Sequence, residues 1–444
     1  MNDLKPRNTQ TKVKHEILSR YLETWGSIIV SGLINAKRLR QWHFVYVDCF
    51  SYSGKYSGEK EDDFQNKVPK TVYGSPIVGI NALDKLAVHA QKMGVRIRVN
   101  TILVEKDKKT YEGLKDTLQE VGFADRVKET RDFHGLGDGQ IALTNADSTL
   151  ITDDLLSYTT QPDTWVFYLI DPYGPSGIPH NFVQKIISQE RHDVMINFIY
   201  EDLPRKGGLA LKENLKPELK QQVDNWTNAF GSDDWIKIAQ NTVLAEKDNE
   251  FIQETLEEYG KDIAFTKEEL ADIKEQKFVE AYYNVLSKMD SSLAIKLVNL
   301  KFSDKNRTMF YLFLTTHDAT GALALNEILY DAKFLEFELR YRLQMAKRTA
   351  PPQGQIPLFP VQDEELRAPE PEKPTRPTNE EVGNFIMERF SGRQSTKKDV
   401  FKELANSFYF RNEVDKALRY LRRQNLAQFV GEPKHYTLIT FSKQ

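Results

Sequence analysis

The sequence contains a single cysteine, Cys49, among 444 residues. One thiol excludes a disulfide within the chain and any metal site or iron–sulfur cluster that needs several of its cysteines. No run reaches about 18 uninterrupted apolar residues, so no membrane-spanning helix is predicted. The first residues carry no apolar stretch typical of a signal peptide. We therefore expect a cytoplasmic protein.

Neither sign of charge dominates the chain. It has 61 Lys and Arg against 64 Asp and Glu, a net charge of −3. Any surface for nucleic acid must therefore be local. Hydrophobic residues make up 40% of the chain and charged residues 28%, which is ordinary for a soluble globular protein. The length predicts two or three domains.

Proline is concentrated in one segment. Eight of the chain's 18 prolines fall in residues 349–377, "TAPPQGQIPLFPVQDEELRAPEPEKPTRP". Such a segment buries little and favours an extended linker. It separates a body, residues 1–348, from a tail, residues 378–444. At about 3.1 Å per residue the linker could reach ~90 Å, so we expect it to join the two parts without fixing their geometry.

Apolar runs of strand length recur through the body and end in polar or acidic residues: "HFVYVDCF", "RIRVNTILVEKD", "WVFYLIDPYGP" and "DVMINFIYEDL". Helical patterns lie between them, which predicts an α/β fold with a parallel sheet covered on both faces. A charged helical insertion is predicted over about 210–280. "LAIKLVNLKF" and "MFYLFLTTHD" then predict an antiparallel pair.

Three acids follow these predicted strands: Asp48, Glu105 and Asp171. Ligands of open parallel sheets bind beyond the carboxyl ends of the strands, so the three acids should face one crevice. The turn "DCFSYSG" after the first strand can bring its backbone close to a ligand through Ser51, Ser53 and Gly54. A plain strand and turn with a surface acid is the alternative.

Together these segments resemble the Rossmann-like fold of class I S-adenosylmethionine-dependent methyltransferases. The order of "KHEILSRYLETW", "YVDCFSYSGKYSG", "YGSPIVGINAL", "LVEKD", "IDPYGPSGIP" and "LFLTTHDATGALALNEIL" resembles more closely the three-Cys-motif partner protein family, TcmP. The resemblance covers residues 12 to about 330. That family is methyltransferase-like and is named for its co-occurrence with a radical-SAM-type protein that bears three cysteines.

The resemblance implies S-adenosylmethionine as cofactor; no metal-binding residues are predicted. Asp48 would meet its ammonium group and Glu105 its ribose hydroxyls; a solvated strand-end glutamate is the alternative for Glu105. Asp147 would accept from the adenine amine or cap a helix N-terminus. Methyltransferases commonly have "D-x-F-x-G-x-G" in the first turn, and Tyr52 replaces the first of those glycines.

"IDPYGP" resembles the Asp/Asn-Pro-Pro-aromatic segment of amino-methyltransferases that act on nucleobases. The resemblance implies that Asp171 accepts from the target amine and that Tyr173 stacks on a flipped base. The second proline is missing, and the ring arrives one residue early. A rigid turn rich in proline and glycine is the alternative.

The tail has three amphipathic helical patterns followed by "GEPKHYTLITF", which resembles a winged helix-turn-helix. It holds 12 Lys and Arg against 8 Asp and Glu. The cations that could contact phosphates are Arg411, Lys416, Arg419, Arg422, Arg423 and Lys434. A winged helix used for protein contacts is the alternative.

The linker contains "QIPLF", which resembles the short peptide by which bacterial DNA-processing proteins dock on the sliding clamp. Gln355, Leu358 and Phe359 would make that contact; packing of the segment back on the body is the alternative.

These features predict a methyltransferase that acts on nucleic acid, with DNA favoured, in DNA modification, repair or phage defence. The alternative is a non-catalytic scaffold for the radical-SAM-type partner on DNA. A small-molecule methyltransferase fits the basic tail less well.

Overall fold

The computed structural model describes residues 4–34, 41–60, 70–210, 212, 214–243, 253, 266–303, 307–349, 368–371 and 373–443. Within them the helices are α1 (Thr9–Leu33), α2 (Ser75–Lys92), α3 (Lys108–Glu120), α4 (Thr152–Thr159), α5 (His180–Ile187), α6 (Leu203–Ala210), α7 (Pro217–Phe230), α8 (Asp234–Val243), α9 (Lys267–Met289), α10 (Ala319–Thr349), α11 (Asn379–Phe390), α12 (Lys397–Leu404) and α13 (Arg411–Arg423). The strands are β1 (Trp42–Asp48), β2 (Lys55–Tyr56), β3 (Val72–Tyr73), β4 (Ile97–Glu105), β5 (Val127–Glu129), β6 (Ile141–Asn145), β7 (Thr164–Ile170), β8 (His192–Phe198), β9 (Ala294–Lys301), β10 (Thr308–Thr316), β11 (Gln394–Thr396), β12 (Ala427–Gln428) and β13 (Leu438–Phe441).

An eight-stranded sheet forms the centre of the body, in the order β5-β6-β4-β1-β7-β8-β10-β9. The pairs from β5 to β8 are parallel, and β10 runs antiparallel to both β8 and β9. The prediction of a largely parallel α/β sheet is confirmed, and the sheet is compatible with a Rossmann-like fold. The predicted antiparallel pair is β9 and β10. Every residue of β1 and of β8 is buried, as expected for strands covered on both faces.

Helices cover both faces of this sheet. Helices α1, α2 and α10 pack on one face, where Trp25, Phe44 and Phe167 lie in a single apolar cluster. Helices α4 to α9 pack on the other face, around Phe198, Trp226 and Tyr282. The predicted helical insertion therefore corresponds to α6–α9, which add to the core rather than projecting from it.

The tail forms its own small core from α11–α13 and the three-stranded antiparallel sheet β11-β13-β12. It is also docked on the body. The side-chain amide of Asn326 on α10 donates to the carbonyl oxygens of Ser407, at 2.9 Å, and Tyr409, at 2.7 Å. Leu323 of α10 belongs to the tail's apolar cluster. The expectation of an unfixed geometry between body and tail is therefore wrong, because the long helix α10 carries apolar and amide contacts that the linker's composition does not reveal.

The segment just before the tail is also packed. The Arg376 guanidinium lies 3.6 Å from the centroid of the Phe410 ring and donates to both carboxylate oxygens of Glu413, at 2.8 and 2.7 Å. The predicted clamp-docking residues, Gln355, Leu358 and Phe359, lie outside the described residues.

Candidate cofactor site and basic surface

The loop after β1 has an unusual backbone. Tyr52 has φ +52° and Gly54 has φ +69°, so both lie in the left-handed region. That region costs a residue with a side chain about 1–2 kcal/mol. Gly54 also has no room for a side chain, since a Cβ there would lie 2.7 Å from Cδ1 of Leu114. The loop thus keeps a glycine-type conformation at residue 52 although the residue is tyrosine.

Glu105 holds this loop in place. Its Oε2 accepts from the backbone N–H of Tyr52 at 2.9 Å, and its Oε1 accepts from the N–H of Asp107 at 2.8 Å. Burial raises the pKa of Glu105, although these two backbone hydrogen bonds act to lower it. The solvated-glutamate alternative does not fit these contacts, while the predicted contact with ribose stays a prediction.

Asp48 is fully buried beneath the loop, so the surface-acid alternative is wrong. Its Oδ1 accepts from the N–H of Phe50 and its Oδ2 from the hydroxyl of Tyr46, both at 3.2 Å. Burial is the largest influence and raises the pKa of Asp48 to about 7, opposed by a hydrogen bond with the Ser75 side chain and assisted by the negative charge of Asp171. The carboxyl group is therefore poised between its neutral and charged forms near neutral pH.

A cavity of about 280 Å³ opens at the carboxyl ends of these strands. Four of the predicted site residues line it: Ser51 and Gly54 from the first loop, and Asp171 and Tyr173 from the segment after β7. Tyr52, which replaces the motif glycine, lines it too.

Asp48, Ser53, Glu105 and Asp147 are not among the lining residues. Ser75 does line the cavity, and its side chain hydrogen-bonds the Asp48 carboxyl group. The Ser75 hydroxyl therefore connects Asp48 to the cavity. The Ser53 hydroxyl donates to the carbonyl of Lys55 at 3.3 Å and so serves the loop itself.

Asp171 already has two partners within the protein. Its Oδ2 forms an ion pair with Nζ of Lys14, and its Oδ1 accepts from the side-chain amide of Asn197 at 2.7 Å. Both partners line the cavity, and neither was predicted from the sequence. Lys14 sits next to Val13 on the buried side of α1, and a lysine within an apolar stripe is the signal that could have identified it.

Tyr173 lies at the cavity mouth with 83% of its surface exposed. Its ring makes a T-shaped contact with the Tyr52 ring, with centroids 5.9 Å apart. This pair presents an aromatic surface beside Asp171.

Asp147 follows β6, a strand that was not predicted. Its Oδ1 accepts from the N–H and hydroxyl of Thr149, and its Oδ2 accepts from Nζ of Lys106 at 2.8 Å. Burial alone would raise the pKa of Asp147, but these hydrogen bonds outweigh it and lower the pKa. The helix-cap alternative is wrong, because α4 has Ile151 at its N-cap.

The predicted phosphate-binding cations lie on or near α13. Arg411, Lys416, Arg423 and Lys434 are exposed. Arg419 instead donates to Glu432 at 2.8 Å, and Arg422 donates to the carbonyl of Gly431 at 2.6 Å. Four of the six predicted cations are therefore directly available at the surface.

Among the described residues, no group of three or more His, Cys, Asp or Glu is arranged to hold a metal ion. None of the helices within the described part of the chain combines the length and apolar character needed to cross a membrane.

No family model and no curated protein matches the chain. Among solved structures, similarity is found to a DUF519 family protein from Legionella pneumophila str. Philadelphia 1, with 10% identity, TM-score 0.35, and coverage of 70% of this chain and 85% of that one. Another is titled "a putative sarcosine dimethylglycine methyltransferase", from Galdieria sulphuraria, with 8% identity, TM-score 0.21, and coverage of 66% and 84%. Both TM-scores are low, and neither similarity assigns a function to this chain.

Proposed function

We propose that this chain is an S-adenosylmethionine-binding, methyltransferase-like protein that acts on nucleic acid, with DNA as the favoured substrate. The observation that carries the proposal is the loop after β1. A tyrosine stands where the methyltransferase motif has glycine, yet it adopts the left-handed backbone of a glycine and is held there by the carboxylate that ends the next strand of the sheet. Preserving a strained loop at a strand end is typical of a ligand site.

The sheet supports this proposal. Without the three-residue strand β5, the order across the sheet is β6-β4-β1-β7-β8-β10-β9. Numbered in chain order, these seven strands follow the order 3-2-1-4-5-7-6. Strand 7, which is β10, runs antiparallel to both of its neighbours. This order agrees with the class I methyltransferase fold that the sequence resembles.

The donors and acceptors around the cavity fit the amino-acid half of S-adenosylmethionine. Its ammonium would be held by the Ser75 hydroxyl backed by Asp48. Glu105 retains acceptor capacity beyond the two backbone bonds that it makes, since a carboxylate has about four lone-pair sites, and would accept from the ribose. Asp147 would accept from adenine. The cofactor, when bound, supplies an electrophilic methyl group.

The tail supports the choice of nucleic acid as substrate. The order helix, strand, helix, helix and two strands agrees with the winged helix-turn-helix that the sequence resembles, and α13 would be the helix that lies in a groove. The exposed cations Lys416 and Arg423 lie on that helix, seven residues apart and so on one face.

Calorimetric titration with S-adenosylmethionine tests the cofactor. We expect saturable binding to the full chain, and at least tenfold weaker binding by the Glu105→Gln variant, because hydrogen bonds to a charged group contribute ~1.5–3 kcal/mol. Glu129→Gln is the matched control, since Glu129 bonds Tyr111 and Lys115 and not the loop after β1 that Glu105 holds. No heat of binding to the wild-type chain, or equal affinity of the two variants, would contradict the proposed site.

A second candidate is the non-catalytic partner of a radical-SAM-type three-Cys-motif protein. The ion pair between Lys14 and Asp171 favours it, because the acid expected to receive the target amine is already neutralised. In this case the linker peptide around Leu358 would add a contact with a sliding clamp, and the tail would hold the complex on DNA.

Transfer of a labelled methyl group to duplex DNA and to RNA separates the two candidates. For an enzyme, Asp171→Asn should reduce transfer at least 100-fold and leave the cofactor affinity within a few-fold. For a partner, neither the wild-type chain nor Lys14→Met, which frees Asp171, should transfer methyl groups while both still bind the cofactor.

A further inference from the structure

A second and larger cavity, of about 760 Å³, lies where the tail meets the body. Its floor is the edge strand β9, its walls are α9 and α10, and the tail residues Phe408 and Phe410 close one end. Nothing in the proposed methyltransferase site uses it.

The backbone of β9 is open toward this groove. The N–H of Ile295 donates to Oδ1 of Asn406 at 3.1 Å, and the N–H of Lys301 donates to Oε1 of Glu336 at 2.5 Å. Both amides therefore point away from β10. Because amide direction alternates along an antiparallel strand, the N–H groups of Leu297 and Asn299, which line the groove, point the same way.

Side chains thus bond the two ends of this edge, and Nζ of Lys333 donates to the carbonyl oxygen of Asn299 at 2.9 Å. The rest of the stretch is uncovered by any strand of the described chain. Five residues lie between the two capped positions, which are about 20 Å apart along an extended chain. The backbone groups that remain free along this edge are a template for a short added strand.

Among the cations that line the groove, Lys296 differs from Lys333 and Arg376 in having no carboxylate partner within the described chain, which favours an acidic ligand. Lys333 pairs with Glu336, and Arg376 pairs with Glu413. Lys296 is 7% exposed and donates to a carbonyl oxygen, that of Ser407, at 2.5 Å, with no carboxylate in ion-pair range among the described residues. A buried ammonium ion without a counterion favours a ligand that brings a carboxylate.

Two apolar side chains of the groove would receive side chains of the ligand, one on the sheet face opposite to the Lys296 side chain and one next to the Ser407 carbonyl that Lys296 bonds. Leu297 is 38% exposed, and Phe408 is 63% exposed. The acid among the lining residues, Glu280, stands on the α9 wall, whereas Lys296 lies toward Asn326 of α10. The charge preference therefore applies to the α10 side.

We propose that this groove binds an extended acidic peptide segment of another protein, which adds as a strand to β9 and places a carboxylate near Lys296. Main-chain hydrogen bonds to Leu297 and Asn299 would supply affinity, and the apolar and charged side chains would supply selectivity. The proposal does not depend on the methyltransferase activity.

Fluorescence anisotropy of the full chain with a labelled hexapeptide of alternating valine and glutamate tests the proposal. We expect saturable binding. A peptide with lysine in place of glutamate, and an acidic peptide N-methylated at alternate residues, should each bind at least tenfold more weakly. The N-methyl groups leave charge unchanged and remove the donors that strand addition needs.

Variants of the protein complete the test. Lys296→Met should weaken binding of the acidic peptide at least tenfold, and Leu297→Asp, which alters a half-exposed side chain, should do so even if Lys296→Met fails to fold. Leu150→Asp, at a remote leucine with 83% exposure, is the matched control and should bind normally.

Several results would overturn the proposal. Absence of saturable binding, or equal binding of the N-methylated peptide, would exclude strand addition. Unchanged binding by folded Lys296→Met would exclude the charge preference. A dimer in sedimentation that Leu297→Asp dissociates would assign the edge to a second copy, and single-stranded DNA displacing the peptide would assign the groove to nucleic acid.

Discussion

Asp48 provides the most direct test of the site, because its environment links pH to both stability and ligand affinity. Burial raises its pKa to about 7, whereas an aspartate in an unfolded chain has a pKa near ~3.9. The folded state therefore binds a proton more tightly than the unfolded state. Stability from this group is fully present below about pH 4 and is lost as the pH rises through 7.

The size of the effect follows from the shift. About three pKa units at ~1.36 kcal/mol each correspond to roughly 4 kcal/mol in total, of which about 2.5 kcal/mol falls between pH 5 and pH 8. The Asp48→Asn variant cannot ionise. We therefore expect the difference in free energy of unfolding, variant minus wild type, to become more positive by about 2.5 kcal/mol over that range, as measured by urea unfolding.

Asp193 is the matched control. It is buried at the start of β8, bonds the Tyr21 hydroxyl at 2.6 Å, and has a pKa that burial likewise raises to about 7. Asp193→Asn should show the same trend in stability. If the difference between Asp48→Asn and wild type stays constant from pH 5 to pH 8, Asp48 is not protonated in the folded chain and the reasoning fails.

Ligand binding separates the two acids. A cofactor ammonium prefers the ionised form of Asp48, so wild-type affinity for S-adenosylmethionine should rise about tenfold per pH unit up to 7 and fall above about 8, where an α-amino group loses its proton. Calorimetry in buffers of different ionisation enthalpy should detect the released proton. Asp48→Asn should abolish the rise below pH 7, and Asp193→Asn should preserve it. An unchanged profile in Asp48→Asn would remove that residue from ammonium recognition.

Two further predictions concern the loop and the tail. Tyr52→Gly should be more stable to urea than Tyr52→Ala by about 0.5–1 kcal/mol, because both lose the aromatic ring and only glycine relieves the left-handed backbone; equal stabilities would contradict the strain. The chain should bind duplex DNA with a log–log salt slope near −3.6 if four exposed cations contact phosphates, and the double variant Lys416→Gln, Arg423→Gln should reduce the slope by about 1.8. A slope insensitive to these changes would assign the tail to protein contacts.

The sheet could be predicted because its strands are encoded by local composition. Runs such as "HFVYVDCF" are long and nearly continuous in apolar residues, and the acids that end them mark the carboxyl edge. The strand β6 escaped prediction because it is five residues long and ends in Thr144 and Asn145, so its pattern is shorter than the others. The docking of the tail escaped because it depends on single side chains such as Asn326, whose partners lie 81 and 83 residues away.

The partners of Asp171 show where prediction from residue types ends. A motif names the acid, and its position after a strand places it at the edge of the sheet. It does not reveal that a lysine 157 residues earlier and an asparagine 26 residues later occupy both carboxylate oxygens. Those contacts depend on how α1 crosses the sheet, which is a property of the packed core.

Glu105 likewise makes a contact that the motif does not reveal, and this contact explains how a loop with an altered motif can keep its shape. Loss of the glycine at position 52 does not by itself destroy the loop, because the conformational cost of about 1–2 kcal/mol is comparable to the ~1.5–3 kcal/mol of a hydrogen bond to a charged carboxylate. Glu105 makes that bond to the Tyr52 amide. A carboxylate at the end of β4 can therefore maintain the shape of the loop after β1, whose own sequence has departed from the methyltransferase motif. The departure at Tyr52 consequently argues less strongly against cofactor binding than the sequence alone suggests, and the occupied carboxylate of Asp171 becomes the stronger reason to test whether the chain transfers methyl groups at all.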